Sequence, residues 1–408
     1  MKMDFFTMLQ DKPQDKVALV DEGKSYTYGE LIRQAEAIRR EQSAQRTAVL
    51  IHEGSIFGQL LKFIAYSGTN TVPIIATEVS KGQEFDIREI PALACMGVMT
   101  SGSTGKSKLL WRRYASWADF FPEQNRVFGL DQDTVIFCQG SLAFTGNLSI
   151  YMGVLYAGGT VVAASRFRPR YWLSLMEEYG VNALYLIPSK LLLLPRFMSS
   201  PNLNVLSIIG GSQSMGRREA ERLALVFPNA ELTLYYGASE LNYISYVKGS
   251  EMTDDRTLIG RPFKGVGIEI KNEEIYITTP YHVEGIDVPF SLKDRGYLDG
   301  CGRLHFLGRT DDVVSVNGRK VSTVKVETAL TGLAGVEEAA VLNRHIGDVD
   351  ILIAFIGGVK RFGKQEMLKM LKKELDDYEL PKQFIFMERL PRNESGKIAK
   401  RLLLEQLA

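Results

Sequence analysis

Val205-Leu206-Ser207-Ile208-Ile209-Gly210-Gly211-Ser212 and, after a stretch of helical period, Glu231-Leu232-Thr233-Leu234-Tyr235-Tyr236-Gly237-Ala238-Ser239-Glu240 decide the fold. Each is a short apolar run that ends in a polar, Gly-bearing turn, as a strand buried on both faces does. The same rhythm extends outward through residues 47–51, 71–76, 93–99, 134–137, 160–164 and 183–187. Short apolar runs alternating with helical stretches predict parallel strands with crossover helices, an α/β fold that takes ligands at its strand ends. Past Tyr236 the helices thin out. Period-two segments at 266–270 and 273–279 predict a smaller β layer.

Near Gly308 the character changes again, with runs at 313–316, 321–330, 338–342 and 351–356 followed by a Lys/Glu-rich helical segment at 363–377. The expected architecture is a large N-terminal domain (residues 1–308) of parallel α/β sheets plus a small β layer, and a small α+β C-terminal domain (309–408). With 49 Lys+Arg against 48 Asp+Glu, the formal charge of +1 offers no bulk attraction to nucleic acid or anionic membrane. The most apolar stretch, 181–197, is interrupted by Pro188, Lys190 and Pro195, short of the roughly 20 residues a membrane span needs. Residues 1–16 have no continuous apolar core of a secretory signal, so a cytoplasmic location is expected. Cys95, Cys138 and Cys301 are odd in number, widely spaced and expected to be reduced.

The run ending at Val98-Met99 is followed by Thr100-Ser101-Gly102-Ser103-Thr104-Gly105-Lys106-Ser107-Lys108. Hydroxyls, two glycines and trailing lysines suit a loop that wraps an oligophosphate with backbone N–H groups. A P-loop NTPase signature would need its first glycine where Thr100 stands and an immediate helix where Leu109-Leu110-Trp111 follow, so that reading fails.

This loop, Thr100 to Gly105 with Lys108, resembles the phosphate loop of the acyl-adenylate-forming superfamily, which includes acyl-CoA and aryl-CoA synthetases, nonribosomal peptide adenylation domains and luciferases. Further motifs stand in the order that family keeps. Ser25-Tyr26-Thr27-Tyr28-Gly29-Glu30-Leu31 is similar to its opening structural motif. By resemblance, Gly211 and Ser212 lie along adenine, Tyr236 stacks on it beside Gly237, Ala238 and Ser239, and Glu240 holds Mg²⁺ at the phosphates. A carboxylate completed by phosphates and waters suits that hard cation. Asp294 falls where the family accepts both ribose hydroxyls, although Leu292-Lys293 replaces the usual Thr-Gly before it. Gly308 to Val321 resembles the interdomain segment, which gives Arg309 to the ribose and Asp311 to the hinge of a mobile C-terminal domain. Leu390-Pro391-Arg392-Asn393-Glu394-Ser395-Gly396-Lys397-Ile398 resembles the motif with the catalytic lysine, Lys397. Two departures are Ser107 in place of proline and Ser315 in place of a frequent lysine.

The resemblance implies ATP-dependent activation of a carboxylic acid to acyl-AMP, with Lys397, Glu240 and Thr104 as catalytic groups, then transfer to a thiol. The acceptor expected first is CoA; a stand-alone ligase loading the phosphopantetheine of a carrier protein is the alternative, and a degenerate nucleotide-binding protein the non-enzymatic one. The acid pocket is expected at Phe144, Gly146, Gly211 and Gly237, where small residues with one aromatic suit a fatty or aryl acid.

Overall fold

The computed structural model describes residues 4–41, 44–76, 89–101, 107–316, 319–333, 335–346, 349–358, 363–392 and 398–405. Two compact units emerge, Met1–Gly267 with Ile277–Phe290, and Ile268–Tyr276 with Ser291–Ala408. This division differs from the 308/309 boundary read from the sequence. The strand Phe290–Leu298 pairs antiparallel with Leu304–Arg309, setting Asp294 opposite Arg309, and that hairpin groups with the C-terminal segment.

In the first unit the described strands form a sheet in the order Leu258–Pro262, Asn242–Lys248, Glu231–Ala238, Ser207–Gly211, Ala183–Tyr185, Val135–Gln139, Thr160–Ala164, Val17–Asp21, Lys24–Thr27. Its central pairings, from Glu231–Ala238 through to Val17–Asp21, are parallel, as the apolar runs predict. Val20, Phe137, Val162, Leu184 and Ile208 from these strands share one buried cluster with Trp172 and Leu175 of the helix Pro169–Glu178. The helix Thr145–Ala157 is buried along most of its length, with Leu148, Ile150, Tyr151, Met152, Val154 and Leu155 all inaccessible, and Gly158 ends it in the left-handed region.

The opening motif is structural, and its chemistry is a helix start. Thr27 Oγ1 accepts the Glu30 N–H at 3.1 Å while the Glu30 carboxylate accepts the Thr27 N–H at 2.8 Å, a reciprocal cap for the helix Tyr28–Arg40.

The first three predicted strands do not join this sheet. Thr47–Ile51, Thr71–Ile75 and Ala94–Ser101 form a separate parallel set, which Ser107–Arg113 closes antiparallel. The segment after the phosphate loop is therefore the second arm of a hairpin, not a crossover. Gly97 makes this possible: a Cβ there would stand 2.8 Å from Ile74 and Leu109 and 3.3 Å from Trp111, so only glycine lets the side chains of the returning strand cross it.

Gly267–Lys271, Glu274–Thr278, Phe290–Leu298 and Leu304–Arg309, most of whose residues belong to the second unit, lie side by side, and Val313–Val316 pairs with Arg319–Ser322. Farther on, Glu338–Ile346 pairs antiparallel with Val349–Gly357, which pairs in parallel with Gln383–Met387. The run at 321–330 divides into the end of a strand and the helix Thr323–Thr331. The Lys/Glu-rich helix is shorter than its composition predicts, Lys364–Leu371, because the chain turns there to bury Leu375 and Leu380 in this unit's core.

Candidate active site

The loop 102–106, which carries Gly102, Ser103, Thr104 and Gly105, lies outside the described residues, as does Lys397. Their bases are described. Thr100 pairs with Lys108 and Ser101 with Ser107, so the described residues on either side of 102–106 are the two arms of an antiparallel pair. At the other end of the chain, Arg392 bridges Ile398 and the Ala399 N–H donates to Pro391 O at 2.7 Å. Arg392 also pairs with Glu338 at 2.9 Å, and Lys400 pairs with Glu327 at 2.9 Å.

The strand ends at Gly211 and Tyr236 are adjacent, since Gly211 is paired with Tyr235 in register. Between Tyr236 and Gly237 the register on the outer neighbour slips, a bulge that only glycine permits: a Cβ on Gly237 would sit 2.7 Å from Asn242 O. The bulge turns the chain so that Ala238, Ser239 and Glu240 leave the strand at its end. Three contacts then fix that turn. Ser239 Oγ meets Thr145 Oγ1 at 3.0 Å, the Arg112 guanidinium donates to Ser239 O at 2.6 Å, and the Val283 N–H donates to Glu240 O at 2.9 Å.

Arg112 is the functional residue that the motif reading missed. It lies six residues past Lys106, fully buried, and its guanidinium also donates to Tyr281 O at 3.0 Å and to Ser116 Oγ at 3.2 Å. Burial pushes its pKa down to about 9, with nearby Cys95 and Glu240 acting in the opposite sense. Its partners are carbonyls and a hydroxyl, so the cation serves as a clamp between the hairpin strand and the Glu240 turn. The only sequence signal is a charge that follows an apolar run, Leu109-Leu110-Trp111-Arg112, which local pattern cannot tell from a solvated edge.

Among the described residues no three His, Cys, Asp or Glu side chains gather as a metal cage. Glu240 is half-buried, and a single carboxylate suits a hard cation such as Mg²⁺ that takes its other ligands from phosphate and water.

On the pocket side, Gln59 of the helix Ile56–Tyr66 holds the turn 141–147. Its carboxamide oxygen accepts the Leu142 N–H at 2.9 Å and the Ser141 hydroxyl at 3.1 Å. Phe144 precedes the helix Thr145–Ala157 and is half-buried. Gly146 and Gly211 both abut the paired tyrosines Tyr185 and Tyr235. Ser212 adopts φ 68° just past the strand.

In the second unit the two ribose candidates come together. Arg309 Nε donates to Asp294 Oδ1 at 3.2 Å, and Asp294 is buried. Asp311 lies in the short turn Thr310–Asp312, where the Asp312 carboxylate accepts the Arg309 N–H at 3.2 Å. Cys95, Cys138 and Cys301 are all free, and no described helix is long and apolar enough to cross a membrane.

A family profile described as AMP-binding enzyme matches residues 77–285, and one described as AMP-binding enzyme C-terminal domain matches residues 325–397. Among curated proteins, an uncharacterized acyl-CoA ligase, YhfT, of Bacillus subtilis (strain 168) is 27% identical over 321 residues, covering 74% of this chain and 66% of that protein. The D-alanine–D-alanyl carrier protein ligase of Lactococcus lactis subsp. lactis (strain IL1403) is 25% identical over 346 residues, covering 76% of this chain and 69% of that ligase. The matches thus span about two thirds of the length of these relatives. The o-succinylbenzoate CoA synthetase (MenE) from Bacillus subtilis, solved with its acyl-adenylate intermediate OSB-AMP, shares the fold at a TM-score of 0.82 and 17% identity over 98% of both chains. Since the first profile alone covers more than half of the sequence, this protein belongs to the AMP-binding enzyme family.

Proposed function

We propose that this chain activates a carboxylic acid with ATP, releasing pyrophosphate and forming acyl-AMP, and then transfers the acyl group to a thiol. The observation that carries the reading is the fixed turn at Ser239–Glu240, held by Arg112 and Thr145 at the end of the strand Glu231–Ala238. It holds a carboxylate at the strand end, where an α/β sheet takes its ligand.

A carboxylate is a poor electrophile until it carries a leaving group. One carboxylate oxygen attacks the α-phosphorus of ATP, the bond to the bridging oxygen breaks, and pyrophosphate departs with that electron pair. Backbone N–H groups of the loop 100–105, with Lys108, cradle the phosphates; Tyr236 stacks on adenine; Asp294 and Arg309 take the ribose. Glu240 would hold Mg²⁺, which would supply positive charge against the phosphate oxygens. Lys397 places a cation against the charge that grows on the α-phosphoryl oxygens. One such group is worth roughly 3 kcal/mol, about a hundredfold in rate.

In the second step a thiol attacks the acyl carbonyl and AMP leaves. Rotation of residues 309–408 about Asp311 withdraws Lys397 and opens the thiol's path, a hinge-type change. CoA is the proposed acceptor, in a cytoplasmic setting. The match to a carrier protein ligase supports a second reading, the phosphopantetheine of a carrier protein.

The test is acid-dependent pyrophosphate release from ATP without thiol and then with CoA. Release without thiol supports adenylation, and a further rise with CoA supports a CoA ligase. Lys397→Ala is expected to slow pyrophosphate release about a hundredfold or more while leaving transfer from pre-formed acyl-AMP to the thiol nearly intact. Equal loss of both half-reactions contradicts the role given to Lys397.

A further inference from the structure

The two glycines expected to leave room for the acid leave room for something else. Tyr185 ends the strand Ala183–Tyr185, and Tyr235 lies two residues before Gly237 on the strand Glu231–Ala238. Their hydroxyls are 2.7 Å apart, with rings nearly parallel at 12° and centroids 6.3 Å apart. A Cβ on Gly146 would lie 2.4 Å from the Tyr185 hydroxyl and 3.0 Å from that of Tyr235. A Cβ on Gly211 would lie 2.4 to 2.9 Å from ring carbons of Tyr235. The phenol pair therefore fills the space between the helix start at Gly146 and the strand end at Gly211.

This wall is backed as well as placed. The ring of Tyr243 stands edge-on to Tyr235 at 4.6 Å, and Phe128 lies behind at 6.0 Å, so the ring of Tyr235 cannot swing aside without displacing core aromatics. Burial pushes the Tyr235 hydroxyl up to about 12 and that of Tyr185 well above its usual range, so both are neutral phenols. Two phenols carry two hydroxyl hydrogens, and the bond between them uses one. The other remains to be donated to an acceptor outside the pair.

We propose that Tyr185 and Tyr235 form the inner end wall of the acid pocket, so that the substrate is a compact carboxylic acid with an oxygen acceptor at its far end, and long alkyl chains are excluded. The inference rests on the adenylation reading and narrows its substrate class. A long chain would have to pass between Gly146 and Gly211, where the rings already make van der Waals contact. A short or single-ring acid stops at the hydroxyls, and a ketone or hydroxyl oxygen at its far end accepts the spare hydrogen.

The experiment measures pyrophosphate release by the full chain with butyrate, levulinate, benzoate, hydroxybenzoate, decanoate and palmitate. Wild type is expected to favour the compact acids and to turn over decanoate and palmitate at least a hundredfold less efficiently. Tyr185→Phe and Tyr235→Phe keep the rings and remove the hydroxyls. Each should lower kcat/KM for levulinate about five- to tenfold relative to butyrate. Tyr185→Ala and Tyr235→Ala should raise kcat/KM for decanoate about tenfold or more. Should the alanine variants not fold, protection of wild type against thermal unfolding by short- and long-chain acyl-sulfamoyl adenosines reads the same preference, the short one protecting more. Efficient wild-type use of palmitate, equal protection by both analogues, or folded alanine variants with an unchanged profile overturns the wall. Silence with every acid, with no thermal protection by ATP, overturns instead the adenylation reading itself.

Discussion

Lys293 sits at φ 63°, in the left-handed region, directly before the buried Asp294. The related motif carries glycine at this position, and the geometry explains why: a side chain there costs about 1 kcal/mol. The Lys293 N–H donates to Ser291 Oγ at 3.0 Å and its ammonium pairs with Glu274 at 2.9 Å, which offsets part of that cost. Lys293→Gly is expected to stabilise the second unit by up to about 1 kcal/mol, read as a raised urea midpoint with nucleotide affinity unchanged. Arg112 is the opposite case, a residue whose loss leaves buried acceptors unpaired. Arg112→Met orphans the carbonyls of Ser239 and Tyr281, so a stability loss on the order of 3 kcal/mol is expected. Pyrophosphate release should fall with it, and Arg112→Lys should restore part of both. A folded Arg112→Met protein with normal kinetics would remove Arg112 from the site.

At the scale of elements, the described residues on either side of 102–106 and of 393–397 are paired with each other. Ala94–Ser101 pairs with Ser107–Arg113, and Arg392 bridges Ile398. Behind the second, Lys400 reaches Glu327 at 2.9 Å and Asp312 at 3.6 Å, tying the helix Lys400–Glu405 to the turn that contains Asp311. Burial by itself would lower the Lys400 pKa, but the pull of Glu327, with Asp312 adding to it, sets it above the ordinary 10.5. A cation whose folded pKa is raised contributes stability that is complete below its unfolded value and vanishes as pH rises through the folded one. Lys400→Met is therefore expected to cost about 1–3 kcal/mol at neutral pH. The gap between variant and wild type should close as pH climbs beyond 10.5. Urea unfolding across alkaline pH reads it, and a gap independent of pH would mean that packing, not charge, holds this helix.

For the whole molecule there are two compact units, one holding the strand-end turns and the other the Asp294–Arg309 pair and the turn at Asp311. If residues 309–408 turn about Asp311 between half-reactions, a proline there should act on one half only. Asp311→Pro is expected to leave acid-dependent pyrophosphate release within about threefold of wild type and to slow thioester formation a hundredfold or more. Stopped-flow measurement of each half-reaction separates the two, and equal rates in both would remove the hinge.

Periodicity and motif order determined much of this protein: the parallel strands of the large sheet and the strand ends at Gly211 and Tyr236. These were legible because a buried parallel strand must be apolar throughout and must end in a turn, a constraint written locally. Only the tertiary structure decided the rest. That the first three strands form their own sheet depends on Gly97 admitting Leu109 and Trp111 from a strand that begins ten residues later. That Arg112 clamps the Glu240 turn depends on carbonyls 127 and 169 residues away along the chain. The same holds for Gly146 and Gly211, whose missing Cβ atoms make space for tyrosines from two other strands. Such contacts join segments with no shared local pattern. A sequence records which groups must be small, apolar or charged, but only the fold brings to each of them the neighbour that gives it a use.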